Sequence, residues 1–99
     1  MHLKIDNMNN KFYYFHQNNT GGEFDKIGHG KYHNLAIEAS SPDEANTIAL
    51  TWGVYFDGCK NDIDCDCCGD RWSRVYDEYD TIELSECDKR DLVIKKPRS

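Results

Sequence analysis

The sequence predicts a small α+β domain: a mostly antiparallel sheet, one packed helix at about residues 41–52, and a Cys-rich loop at 57–70. Three observations predict it. Residues 12–16 and 32–39 carry the aromatic and alternating apolar patterns of strands. Ser41-Pro42-Asp43-Glu44 has the chemistry of a helix start. Four of the five cysteines crowd into the stretch from Asp57 to Trp72. At 99 residues the chain reads as one domain, 12–94, with a flexible N-terminus at 1–11 and a basic tail at 95–99.

The elements follow in order. Residues 1–10 are Asn-rich and unpatterned, a frayed end. Phe12-Tyr13-Tyr14-Phe15-His16 is the first strand, because aromatics favour a pleated, half-buried surface. Gln17 to Gly22 is a turn or open loop, since Asn and Gly tolerate left-handed backbone angles. Glu23-Phe24 starts a weak strand. The Gly28-His29-Gly30 stretch is a loop without the strand-to-helix context of a phosphate loop. Leu35, Ile37 and Ala39 share one face of a strand at 32–39. Ser41 caps the helix, Pro42 fits its first position, and Glu44 completes a capping box. Ala45, Ile48, Ala49 and Trp52 form its buried stripe, and Gly53 ends it. Strands are expected at 54–56, 72–76 and 81–84, the last two as a hairpin. Leu92-Val93-Ile94 is a last edge strand or the anchor of the tail.

The net charge of −6 is uneven. Residues 57–91 hold twelve acids against five Lys/Arg, while the last eight residues hold three basic groups and no acid. An acidic chain repels a phosphate backbone, so no nucleic-acid polymer is expected as its partner. No run is long and apolar enough for a membrane span, and no signal-peptide pattern opens the chain. The expectation is a soluble protein of a reducing cytoplasm, with thiols or metal-bound thiolates rather than disulfides.

The Cys-rich loop supports several readings. Cys65 and Cys68 form a Cys-x-x-Cys pair, half of a tetrahedral zinc site, with Cys67 and Cys59 as the nearest further ligands. Cys87, His2, His16, His29 and His33 are remote candidates; bare thiols in a tight loop are the plain alternative. Asp62, Asp64 and Asp66 are spaced like a calcium loop, but Cys67 stands where the sharp turn needs Gly and Ser73 where a bidentate Glu is needed. Redox chemistry is disfavoured, because Asp64, Asp66 and Asp70 raise a neighbouring thiol's pKa. A ligand reading rests on Asp70, Arg71, Trp72 and Arg74. Arg71 would grip phosphate through two hydrogen bonds, Trp72 would stack on a base, and Asp70 would take a polar edge. Asn18 and Asn19 would add amides from the Asn-Gly turn. The plain alternative places Trp72 in the core and pairs Arg71 with Asp70 or Glu38.

Phe15 to Gly22, Ile37-Glu38-Ala39, Asp43 to Asn46, Tyr55-Phe56-Asp57-Gly58 and Asp64 to Trp72 together resemble a family of small accessory proteins of tailed phages. The last block, with its C-x-C-C-G-D-R-W motif, is the most specific. In that family the Cys59 position is often apolar, which favours Cys65, Cys67 and Cys68 as ligands. The resemblance carries no activity with it. It implies a context, the cytoplasm of an infected bacterium, where small phage proteins often act against host defence.

The first expectation is therefore a non-catalytic counter-defence protein that sequesters a small nucleotide-type signal, as a homodimer. The alternative is a zinc-stabilised acidic module that inhibits a host defence protein.

Overall fold

The aromatic run at the start of the patterned region becomes a strand at the sheet edge. The computed structural model describes residues 10–18, 32–64 and 66–96. Asn19, Cys65, His2, His29, the strand at Glu23-Phe24 and the loop at Gly28–Gly30 lie outside the described residues. Three strands form one sheet: β1 (Lys11–Phe15), β2 (Asn34–Ala39) and β3 (Asp91–Ile94), in the order β1-β2-β3. The pairing of β1 with β2 is antiparallel, with Tyr13 opposite Ile37 and Phe15 opposite Leu35. β3 runs parallel to β2, with Leu92 opposite Leu35 and Ile94 opposite Ile37. The α+β class stands, and the sheet is mixed: β1 and β2 pair antiparallel, β2 and β3 parallel. A parallel neighbour needs a long crossover, and the helix with its following loop provides it.

Helix α1 spans Pro42–Leu50. Ser41 Oγ accepts from Glu44 N at 3.1 Å, as an N-cap should. The Glu44 carboxylate reaches back to Ser40 N at 2.7 Å, one residue earlier than the capping box predicts. Ala45 and Ala49 are buried against the sheet. Trp52 is a correction: the helix stops at Leu50, Gly53 turns the chain at φ 94°, and Trp52 is 39% exposed instead of continuing the stripe.

The strands expected at 54–56, 72–76 and 81–84, and their hairpin, do not form. Val54, Trp72 and Val75 still enter the core beside Tyr13, Phe15, Leu35 and Ile37, while Tyr55 and Phe56 pack partly buried against it. Val54 N donates to Ala49 O at 3.3 Å, and the backbone of Val75 is satisfied by a side chain instead of a ladder. Asn46 on α1 donates to Val75 O and accepts from Val75 N, both at 2.9 Å. Thr81 makes a single bridge to Tyr13, and short 3-10 turns occupy Glu78–Asp80 and Leu84–Glu86. Lys96, assigned by sequence to the basic tail, is tied to the sheet: its N–H donates to Glu38 Oε1 at 2.8 Å and its ammonium pairs with Glu44 at 3.3 Å. Among the described residues no helix is long and apolar enough to cross a membrane.

Candidate functional site

The loop is built from its aspartates. Asp57 and Asp62 adopt left-handed φ values of 60° and 62°, a region that Asp and Asn enter more readily than other side chains. Gly58 O then accepts from Ile63 N at 2.8 Å and Asp64 N at 3.0 Å, folding the chain back on itself. Asp64 is thereby aimed inward. Its Oδ1 accepts from the Tyr55 hydroxyl at 2.7 Å and its Oδ2 from Arg71 N at 2.8 Å. Gly58 is required by this closure, because a Cβ there would collide with the Asp64 carboxyl and the Tyr55 ring. Asp70 Oδ1 accepts from Cys59 N at 2.9 Å and ties the other side of the loop.

The end of β1 clamps the loop exit. Asn18 Nδ2 donates to Cys68 O at 2.9 Å and Asp70 O at 3.1 Å, and Asn18 N donates to Arg71 O at 2.8 Å. Gly69 turns at φ 84° beside this amide. Arg71 points inward and donates from Nη1 to Gln17 Oε1 at 2.9 Å. Gln17 is fully buried, its Nε2 donating to His33 O at 2.7 Å and its N–H to Asn34 Oδ1 at 3.0 Å. Asn34 Nδ2 donates on to Asp91 Oδ1 at 3.1 Å, which also accepts from the Tyr14 hydroxyl at 2.7 Å. A continuous polar chain therefore runs from the loop through the centre strand to β3.

The protonation states follow this geometry. Burial raises the Tyr55 hydroxyl's pKa and its bond to Asp64 adds to the rise, with Arg71 opposing. Burial pushes the Cys59 thiol up to about 11, helped by a hydrogen bond to Asp70 and by the charges of Asp66 and Asp64. The direction is the one the neighbouring carboxylates dictate, away from a reactive thiolate.

Of the ligand residues expected from sequence, the fold brings Asn18, Asp70 and Arg71 together. Trp72 is apart from them: its ring is 2% exposed in the core, so it has no open face for a base. Arg74 is turned to the other side, bonded to the Asp57 carboxylate at 3.1 and 2.8 Å and lying 4.9 Å from the centre of the Phe56 ring. Arg71 bonds Gln17 rather than the expected Asp70 or Glu38 side chain. Of the zinc candidates, Cys67 and Cys68 bring their sulfurs to 3.7 Å. Among the described residues no group of three or more His, Cys, Asp or Glu side chains is arranged to hold a metal ion. Gln17, Tyr55, Asp64, Asn34 and Asp91 were not singled out from sequence for these roles. One signal was present: the described parts of three sequence blocks singled out together, at 15–18, 55–58 and 66–72 with Asp64, meet at this junction.

A family model described as Domain of unknown function (DUF7296) matches residues 10–96. The chain belongs to this family. The match runs from the start of β1 past the end of β3, so among the described residues it takes in all three strands, helix α1 and the clamped loop of this DUF7296 domain. No curated protein and no solved structure matches the chain.

Proposed function

We propose that this DUF7296 domain is a small, non-catalytic, acidic interaction module that binds and inhibits a host protein. The observation that carries the reading is the balance of exposed charge over residues 57–91. Arg71 is bonded inward to Gln17, Arg74 is paired with Asp57, and exposed Arg90 lies 3.7 Å from Asp88. Lys60 and Lys89 are exposed too, but Asp62, Asp66, Asp77, Glu78, Glu83 and Glu86 outnumber them at the surface. The outward field is that of carboxylates, which steer and select a basic protein surface. The phage context that the sequence resemblance implies makes a bacterial defence protein the partner. The test is retention of host cytoplasmic proteins on the immobilised domain, followed by calorimetry with each purified protein retained. Binding that weakens as salt rises is expected. A domain that retains no protein loses this reading.

A second reading keeps the nucleotide-type signal as ligand, supported by the convergence of Asn18, Asp70 and Arg71. It requires Arg71 to exchange Gln17 for a phosphate, without Trp72 as a stacking platform. Calorimetry with cyclic and linear nucleotides tests it, and heat with any of them would displace the protein-binding reading. Zinc belongs to either reading only through a set that includes Cys65 with Cys67 and Cys68. Metal content of protein purified without chelator decides that point.

A further inference from the structure

Beyond the loop, the most exposed aromatic rings of the described chain sit in one short acidic segment. Tyr79 is 92% exposed and Tyr76 is 74% exposed. Neither serves the core. Yet their backbone is fixed rather than loose. The Asp77 carboxylate accepts from Tyr79 N at 2.9 Å, and the Asp80 carboxylate accepts from Tyr76 N at 2.8 Å. The turn is then joined to the sheet by the bridge between Thr81 and Tyr13 and by Ile82 N donating to Phe12 O at 2.8 Å. Where the chain leaves this bridge it opens a groove of about 320 Å³, between Asn10–Phe12 on one side and Thr81–Leu84 on the other. Phe12 and Ile82 are half-buried in its walls, and Leu84 is 43% exposed at its rim.

We infer that Tyr76, Tyr79 and the groove beneath Leu84 form a docking surface for an arginine-rich, extended segment of a partner protein. This rests on the acidic-module reading and says where the partner sits. Residues 76–88 hold six carboxylates and no Lys or Arg; Arg74, which also touches the Tyr76 hydroxyl, is already paired with Asp57, and Lys11 is the one cation lining the groove among the described residues, so the charge complement is still a cation. Two phenol rings among carboxylates favour guanidinium over ammonium, because a planar guanidinium stacks on a ring while it forks to a carboxylate. Tyrosines held on a pre-set backbone lose little freedom when they are covered, which is how such rings become dominant contacts. The groove takes an aliphatic side chain next to the arginine, against Phe12 and Ile82. Phosphate-bearing partners are repelled by the same carboxylates.

The probe is a short peptide alternating arginine and leucine, titrated against the intact domain at about 0.15 M salt, where charges more than roughly 8 Å apart are screened. Tyr76→Ala/Tyr79→Ala is expected to weaken binding about tenfold or more, as loss of a dominant contact does. Tyr76→Phe/Tyr79→Phe keeps the ring faces and is expected to retain binding. Asp62→Asn/Asp66→Asn removes two charges from the exposed loop instead, and is expected to weaken binding by less than about threefold, the scale of a screened surface charge. Unchanged urea midpoints show that the variants fold. Equal losses in the Tyr and Asp pairs would reduce the interaction to diffuse charge attraction, which overturns the surface and leaves the module. No peptide binding by the unmutated domain overturns the surface too; the module reading then stands or falls on retention of a host protein.

Discussion

At the residue scale, the domain depends on a few side chains that close its irregular half. Gly58 is the tightest of them. Adding a methyl group there displaces an Asp64 carboxylate already held by Tyr55 and Arg71 N. Gly58→Ala is expected to cost about 1–3 kcal/mol in urea unfolding, the usual penalty of overpacking. In an Asp64→Ala background the same change is expected to cost clearly less, because the two positions share one contact. Cys59 gives a second test. Its thiol, pushed up to about 11, stays protonated at pH 9 in the folded domain. Alkylation of Cys59 at about pH 9 is expected to be several-fold slower in the native domain than in urea, where its pKa returns to about 8.5. Peptide mapping reads the difference. These roles were hard to see in the sequence for a physical reason. The Asp-rich run reads as a solvated turn, and the partners that make it a scaffold lie far off: Asn18 is 50 residues from Cys68, and Gln17 is 54 from Arg71.

At the scale of elements, local chemistry was legible and non-local chemistry was not. The helix start at Ser41-Pro42 and the alternation in β2 are set by neighbours within a few residues, and both form as the sequence predicts. The apolar runs at 54–56 and 72–76 carry equal β propensity and reach the core, but not as strands. Propensity states that a residue suits a half-buried extended chain; it does not supply the partner strand. Asn46 takes that place. Its amide satisfies both backbone groups of Val75, so Asn46→Ala leaves a part-buried N–H and C=O without their partner. The expected loss is about 1–3 kcal/mol, the cost of stranding such groups. Asn46→Asp keeps the acceptor for Val75 N but loses the donor to Val75 O, and is expected to fall between the two. Chemical denaturation of the three proteins gives the order.

At the scale of the whole molecule, β3 and the residues after it are tied to β1, β2 and the start of α1. Lys96 reaches Glu38 and Glu44, and Asp91 reaches Tyr14 across 77 residues of sequence. Glu44 carries a pH signature of this closure. Its pKa is lowered, chiefly by the Ser40 N–H, with Lys96 adding to the shift against the opposing effect of burial. A carboxylate with a depressed folded pKa stabilises the fold above its unfolded value of about 4.3, and that contribution disappears as pH falls through the folded value. Glu44→Gln is therefore expected to be less stable than the parent at pH 7, with the gap closing as pH falls through the acidic range, by thermal melting across that range. The overall class could be read from composition and pattern. The parallel partner of β2 could not, because nothing near residue 92 announces which edge it will join. That arrangement has a consequence for how the protein is made. β2 emerges from the ribosome with β1 available on one side, and its other edge stays open until residues 91–94 have been synthesised; Asp91, the partner of Asn34, lies 57 residues further along the chain. Contacts so distant form slowly, and an open central strand invites pairing with another nascent copy. The like charge of the acidic stretch between the two strands opposes such pairing until the last strand seals the sheet.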